Sequence, residues 1–299
     1  MDNVLVKKRL KLAVLLTSLI LVAEVVGGIL ANSLALLSDA AHMFMDGFAL
    51  CLSLFAIIIS ERPSTQTKTY GYHRMETLAA FVNGIFLFLL ACFILHESYE
   101  RFVNPREVQS LIVMIVAAVG LAANLMVIYF LKDTPIRRDL NLKSAFYHVL
   151  GDSLASVGVI VGGVVMYYTG WYALDSLLSA GIGCLLLWGT RGLILDSIHI
   201  LLEGVPKGVS LAAVEQRLAS IPAIKDVHEL HIWCLCSNIY AFSAHVLIKD
   251  QMVEQVESIM KEIKTVLKEK FNISHATIQF ECNSCRESPV VCEMKHEAH

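Results

Sequence analysis

Six stretches of mostly apolar residues succeed one another through the first two thirds of the chain, at about 10–31, 34–59, 77–99, 108–131, 144–168 and 174–198. Crossing a bilayer as a helix takes roughly 17–25 such residues, so each stretch is predicted to be a transmembrane helix. After Pro206 the period changes. Val209–Ile221 has helical spacing and is stopped by Pro222; Ile224–Cys234 and Tyr240–Ile248 alternate like strands; Met252–Lys270 is amphipathic at the helical period; His275–Cys282 alternates again. The predicted fold is an α-helical membrane bundle of six transmembrane helices over residues 1–204, then a small ferredoxin-like α+β domain (αββαβ) over 205–282, and a polar tail over 283–299.

Charge adds an orientation. Lys7, Lys8, Arg9 and Lys11, the loop residues Arg62, Lys68 and Arg74, and Lys132, Arg137, Arg138 and Lys143 fall on one side of the predicted membrane, against only Arg101 and Arg106 on the other. Basic loops stay inside, so both termini and the αββαβ domain are expected in the cytoplasm of a multi-pass protein of a plasma, inner or vesicle membrane. The first apolar run is too long for a signal-peptide core and is read as an anchor. The chain is 56% hydrophobic and 17% charged with a net charge of −3, and it has no basic cluster, which excludes a nucleic-acid partner.

Candidate chemistry sits inside the apolar runs. In the second run the segment SDAAHMFMDG places His42 and Asp46 four residues apart, with Asp39 a turn earlier on the same helical face. The fifth run repeats the spacing at His148 and Asp152 within SAFYHVLGDS. An ionisable side chain at mid-membrane costs roughly 2.5–3.5 kcal/mol, so such residues face a cavity, a partner or a pathway. Hydrogen-bonded His/Asp pairs alone return too little to offset four of them. Two imidazoles and two carboxylates can close a tetrahedral site suited to Zn²⁺, with Co²⁺ and Cd²⁺ as further candidates. The ligating forms are neutral imidazole and ionised carboxylate, so protons compete with the metal, which is a basis for antiport. Glu24, Asp39 and Asn124 either line the pathway or pair between helices; Asp175 is expected to cap the sixth helix. The depths conflict: His42 and Asp46 lie two to three turns from the outer end of their run, His148 and Asp152 one to two turns from the inner end of theirs. Gly162 and Gly163 are expected to end the fifth helix early on the outer side.

With six helices, His-x-x-x-Asp in the second and the fifth, and an αββαβ tail, the chain resembles the cation diffusion facilitator family, above all its zinc-transporting branch. Tyr70-Gly71-Tyr72-His73-Arg74 with Glu76, Asp175, His231-Ile232-Trp233 and His275-Ala276-Thr277-Ile278-Gln279 carry the resemblance further. It implies a homodimer paired through cytoplasmic domains, exchanging cytosolic divalent metal for protons. It also implies a cytoplasmic metal site, to which His228, His245 and Glu281 correspond. Strand parity puts His245, His275 and Glu281 on the polar face, whereas His228 shares parity with the apolar Leu230 and Ile232 and needs a bulge, or a position at the strand's end, to join them. Cys282-x-x-Cys285 is half of a zinc-ribbon pattern placed to complete that site. His73 corresponds to an extra metal site in the family's second loop, although the loop lacks acidic ligands. Cys234-x-Cys236 and Cys292 are weaker ligand candidates, and Cys51, Cys92 and Cys184 read as small hydrophobes.

Two rivals remain. An integral-membrane zinc enzyme needs an open metal position, which four ligands fill, and the sequence has no H-E-x-x-H or phosphate-loop motif. A passive zinc channel would show no dependence on a proton gradient.

Overall fold

The computed structural model describes the backbone of residues 2–132, 140–236 and 239–282, and the side chains of 15–129, 149–236 and 239–282. The chain divides into two compact units: residues 1–52 with 83–192, and residues 53–82 with 193–299.

The first unit is helical. It holds α1 (Asp2–Ala31), most of α2 (Leu34–Ser60) and α3 (Arg74–Val103), α4 (Ser110–Lys132), α5 (Leu140–Thr169) and most of α6 (Ala173–Leu201). Among the described residues α2 to α6 each contain a segment long and apolar enough to cross a membrane, and Leu15–Ala31 of α1 is apolar as well. Many of their large apolar side chains point outward: Leu50, Leu185 and Trp188 are 73%, 74% and 81% exposed. A water-soluble protein could not carry that surface; in hydrocarbon it costs nothing. The interior is small and rich in compact residues, with Ala31, Ala35, Val113, Ala117 and Val159 packed around Leu36 and Met166. Glycines let the helices approach. A Cβ on Gly27 of α1 would lie 2.5 Å from Val116 of α4, and one on Gly163 of α5 would lie 2.6 Å from Met114 of α4.

Two expectations for the fifth helix are corrected. Gly162 and Gly163 do not end it early; α5 runs on to Thr169, and both glycines serve packing, Gly162 against Leu178 and Gly163 against Met114. The helix also starts at Leu140 rather than near 144. His148 and Asp152 therefore lie about two and about three turns past its first residue, the same offsets that His42 and Asp46 have from Leu34 in α2.

In the second unit α7 (Leu211–Ala219) is capped by Ser210, whose side chain accepts from the Ala213 N–H. A three-stranded sheet follows, in the order β1 (Ile224–Cys236), β2 (Ile239–Ile248), β3 (Ile273–Glu281). β1 and β2 are antiparallel, while β2 and β3 are parallel and joined through α8 (Val253–Phe271). One sheet face, with Ile232, Phe242, Ala244 and Val246, packs on α7 and α8 through Val214, Leu218, Ile263 and Leu267. The other face carries His231, Trp233, Ser243, His245, Thr277 and Gln279, none of them fully buried. Asn272, left-handed at φ 56°, ends α8 and turns the chain into β3.

Candidate metal centres

Within the first unit His42 and Asp46 occupy one face of α2, with Nε2 to Oδ2 at 3.8 Å and both side chains about one third exposed. Asp39, a turn earlier, is buried, as is Glu24 of α1. Glu24, Asp39 and Asp152, from α1, α2 and α5, act on one another's charge across the bundle. Glu24 lies against α4 at Gly120, where a Cβ would come 3.2 Å from its Oε1. Acidic groups of three helices thus converge near the His42/Asp46 pair. The side chain of His148 lies outside the described residues; its place in α5 is set by the backbone alone. Asn124 is buried on α4.

Asp175 is a cap, but of a different helix from the one expected. It is the third residue of α6, and its carboxylate accepts from the Ser33 hydroxyl at 2.6 Å, the Leu34 N–H at 2.6 Å and the Ala35 N–H at 3.4 Å, all at the start of α2. Nothing in the local sequence signals this, because the partners are more than a hundred residues apart.

The second centre is in the αββαβ domain. His228, His245 and Glu281 each offer a ligand atom, and these atoms all lie within 4.8 Å of one another. His228 reaches this face because β1 bulges: it pairs with His245, but the next pair is His231 with Ser243, so β1 holds one residue more than β2 over this span. The extra residue is accommodated at Glu229, left-handed at φ 48°. Of the two routes that strand parity left open, a bulge or a position at the strand's end, the bulge is the one present. Glu281 Oε1 is 2.9 Å from His245 Nδ1, and Glu281 Oε2 is 3.3 Å from His228 Nε2. That Oε2 is buried and makes no hydrogen bond among the described residues although His228 Nε2 lies 3.3 Å away, so a cation shared with that nitrogen would satisfy it. Asp226 sits 3.1 Å from His228 Nδ1, leaving Nε2 for a ligand role, and Glu229 lies 3.5 Å from His245 Nε2. Two imidazoles and a carboxylate fit Zn²⁺. Asp226 and Glu229 were missed in the sequence; the Asp-x-His spacing, which puts both side chains on one strand face, was the available signal for the first.

Other candidates separate. Cys282 is exposed directly after Glu281, whereas Cys285 and Cys292 lie outside the described residues. His275 does not join the cluster: it pairs in register with Ala241, four residues along β2 from His245, and its ring contacts Tyr70 edge-on at 5.5 Å. His73 precedes α3 and belongs to no group of three ligands among the described residues. Cys234 and Cys236 are buried, and burial together with the neighbouring Cys236 thiol pushes the Cys234 thiol up from its ordinary range, which suits an inert core residue.

A family model described as the cation efflux transmembrane domain matches residues 10–202, and one described as the cation efflux protein cytoplasmic domain matches 206–282. The chain belongs to the cation efflux, or cation diffusion facilitator, family. Members of this family are membrane cation transporters, not enzymes. A cation efflux system protein CzcD from Alcaligenes sp. (strain CT14) is 42% identical over 282 residues, 94% of this chain and 89% of the relative. A cadmium, cobalt and zinc/H(+)-K(+) antiporter of Bacillus subtilis (strain 168) is 35% identical over 97% of this chain and 94% of its own. The zinc transporter ZitB of Escherichia coli (strain K12) is 37% identical over 93% and 88%. Among solved structures, the metal-bound C-terminal domain of the CzcD transporter from Cuprividus metallidurans is 40% identical, covers 24% of this chain and 99% of its own, and has a TM-score of 0.23.

Proposed function

We propose that this cation efflux protein exports Zn²⁺ from the cytoplasm in exchange for protons, by alternating access about one site formed by His42, Asp46, His148 and Asp152. The observation that carries the reading is the pair of His-x-x-x-Asp motifs at equal offsets into two membrane helices of a cation efflux domain, with Asp39 of α2 within electrostatic reach of both Asp46 and Asp152. Two imidazoles select zinc and its near neighbours over Mn²⁺ or Mg²⁺, and relatives named for zinc, cobalt and cadmium agree with that choice. Proton exchange has an energetic reason. Carrying Zn²⁺ outward against a 100 mV inside-negative potential costs about 4.6 kcal/mol; one returning proton halves that term and two remove it.

In the same reading both termini and the αββαβ domain face the cytoplasm, and two copies pair through that domain. His228, His245 and Glu281 hold a resident Zn²⁺ there, with Cys282 and Cys285 available to complete its coordination. The domain boundaries follow the change of pattern near residue 205 and the end of β3. The test is zinc flux into proteoliposomes by variants of each centre: His42→Ala is expected to abolish flux, while His228→Ala with His245→Ala retains it in part. Flux surviving His42→Ala would remove the membrane site from the account.

A further inference from the structure

The first turn of a helix leaves four N–H groups without intrahelical partners, and in α2 all four are accounted for. The Ser33 N–H donates to the Gly28 carbonyl at 3.0 Å, Leu34 and Ala35 donate to the Asp175 carboxylate, and Leu36 donates to the Ser33 hydroxyl oxygen at 3.3 Å. The Ser33 hydroxyl passes its own hydrogen on to Asp175 at 2.6 Å. Ser33 is thus an ordinary N-cap, and Asp175 is a second cap supplied from α6. Both are completely buried, at 0% and 1% exposure. Beside them Arg101 of α3 donates to the Asn32 carbonyl at 3.0 Å and to Glu97 at 2.8 Å, which fixes the turn that leads into α2.

An ionised carboxylate in a membrane bundle is expensive, and Asp175 is not a candidate ligand of either centre. Both of its oxygens are used on α2, where the positive end of the helix dipole meets the negative charge. The consequence is geometric. Each residue step turns an α-helix by about 100°, so clamping the first N–H groups fixes both the rotation and the axial position of everything on the same stiff rod. His42 and Asp46 follow on that rod within about three turns.

We infer that Asp175 is a positioning residue for transport: through its bidentate cap on Ser33, Leu34 and Ala35 it sets the orientation of α2 and hence the aim of His42 and Asp46 at the metal. This rests on the membrane site proposed above. The effect belongs to metal affinity, so losing the cap weakens zinc binding more than it slows turnover.

The test uses the full-length transporter with His228 and His245 replaced by Ala, so that zinc binding reports the membrane site. Asp175→Ala is expected to weaken zinc binding at least tenfold with a less than threefold fall in maximal flux. Ser33→Ala, which leaves the bond from Leu34 in place, is expected to weaken it two- to fivefold. Asp175→Asn, which keeps one acceptor oxygen, falls between them. Amide exchange at residues 34–36 rises in the same order. Unchanged affinity in Asp175→Ala, or a loss confined to maximal flux, overturns the inference. If Asp175→Ala does not fold, Ser33→Ala and Asp175→Asn decide by the same comparison. His42→Ala in that background separates the two readings: if it leaves zinc binding intact, the membrane site is wrong, while amide exchange still reports whether the cap exists.

Discussion

At the residue scale the cytoplasmic centre contains one backbone irregularity. Glu229 adopts a left-handed conformation that costs a non-glycine residue about 1–2 kcal/mol, and in return His228 turns onto the face of His245 and Glu281. Deleting Glu229 removes the extra residue of β1, so the strand alternates regularly with His228 on the face of His231 and still opposite His245; zinc binding by a variant lacking His42 and Asp46, followed by calorimetry, is expected to stay within about threefold of the parent, and a loss of about tenfold or more would show that the bulge itself shapes the site. Glu229→Gly keeps the bulge without its strain, and is expected to bind zinc within about threefold of the parent, having lost only the His245 contact. The spacing of His42 and Asp46 was legible because helical periodicity is regular. The role of His228 was legible only as a requirement, because a glutamate at a left-handed position leaves no mark in a hydrophobic pattern. Cys234 gives a pH signature of its own. Burial raises its thiol pKa, so its contribution to stability is fully present below the ordinary thiol value of about 8.5 and is lost as pH rises through the higher folded value. Denaturant unfolding followed between pH 7 and pH 10 is expected to show an alkaline fall that Cys234→Ala flattens. Exposed Cys282 is expected to alkylate in the native protein, with Cys234 and Cys236 protected until unfolding.

At the element scale, the six apolar runs and the αββαβ order were readable from period alone, since lipid and a one-sided sheet each impose a strong pattern. Helix ends and helix partners were not. The passage of α5 through Gly162 and Gly163 goes with packing against α6 and α4, which no local signal encodes. The same holds for Asp175, whose position near the start of α6 suggested a cap for its own helix rather than for α2. Close packing predicts unequal glycine tolerance. Gly27→Ala forces a Cβ to 2.5 Å from the branched, stiff Val116 and is expected to destabilise the bundle by about 1–3 kcal/mol. Gly158→Ala, with nothing within 4 Å of its added methyl, is expected to be neutral. Thermal unfolding in detergent distinguishes the two.

At the scale of the whole molecule, a membrane unit with the proposed His/Asp ligands is joined in one chain to a domain with its own His/His/Glu cluster. Metal and protons compete for imidazole, so zinc affinity at both centres is expected to fall as the pH is lowered, and an acid compartment on the far side favours release. The proposal therefore stands on coupling as much as on binding. The most direct measurement is zinc and proton flux in proteoliposomes under an imposed pH gradient, for the parent chain and for Asp152→Ala, with zinc binding measured in parallel. The parent is expected to move zinc against protons and to stop when the gradient is dissipated, and Asp152→Ala to lose membrane-site binding and flux together. Flux indifferent to the gradient, or unimpaired in Asp152→Ala, would contradict a proton-coupled His/Asp site.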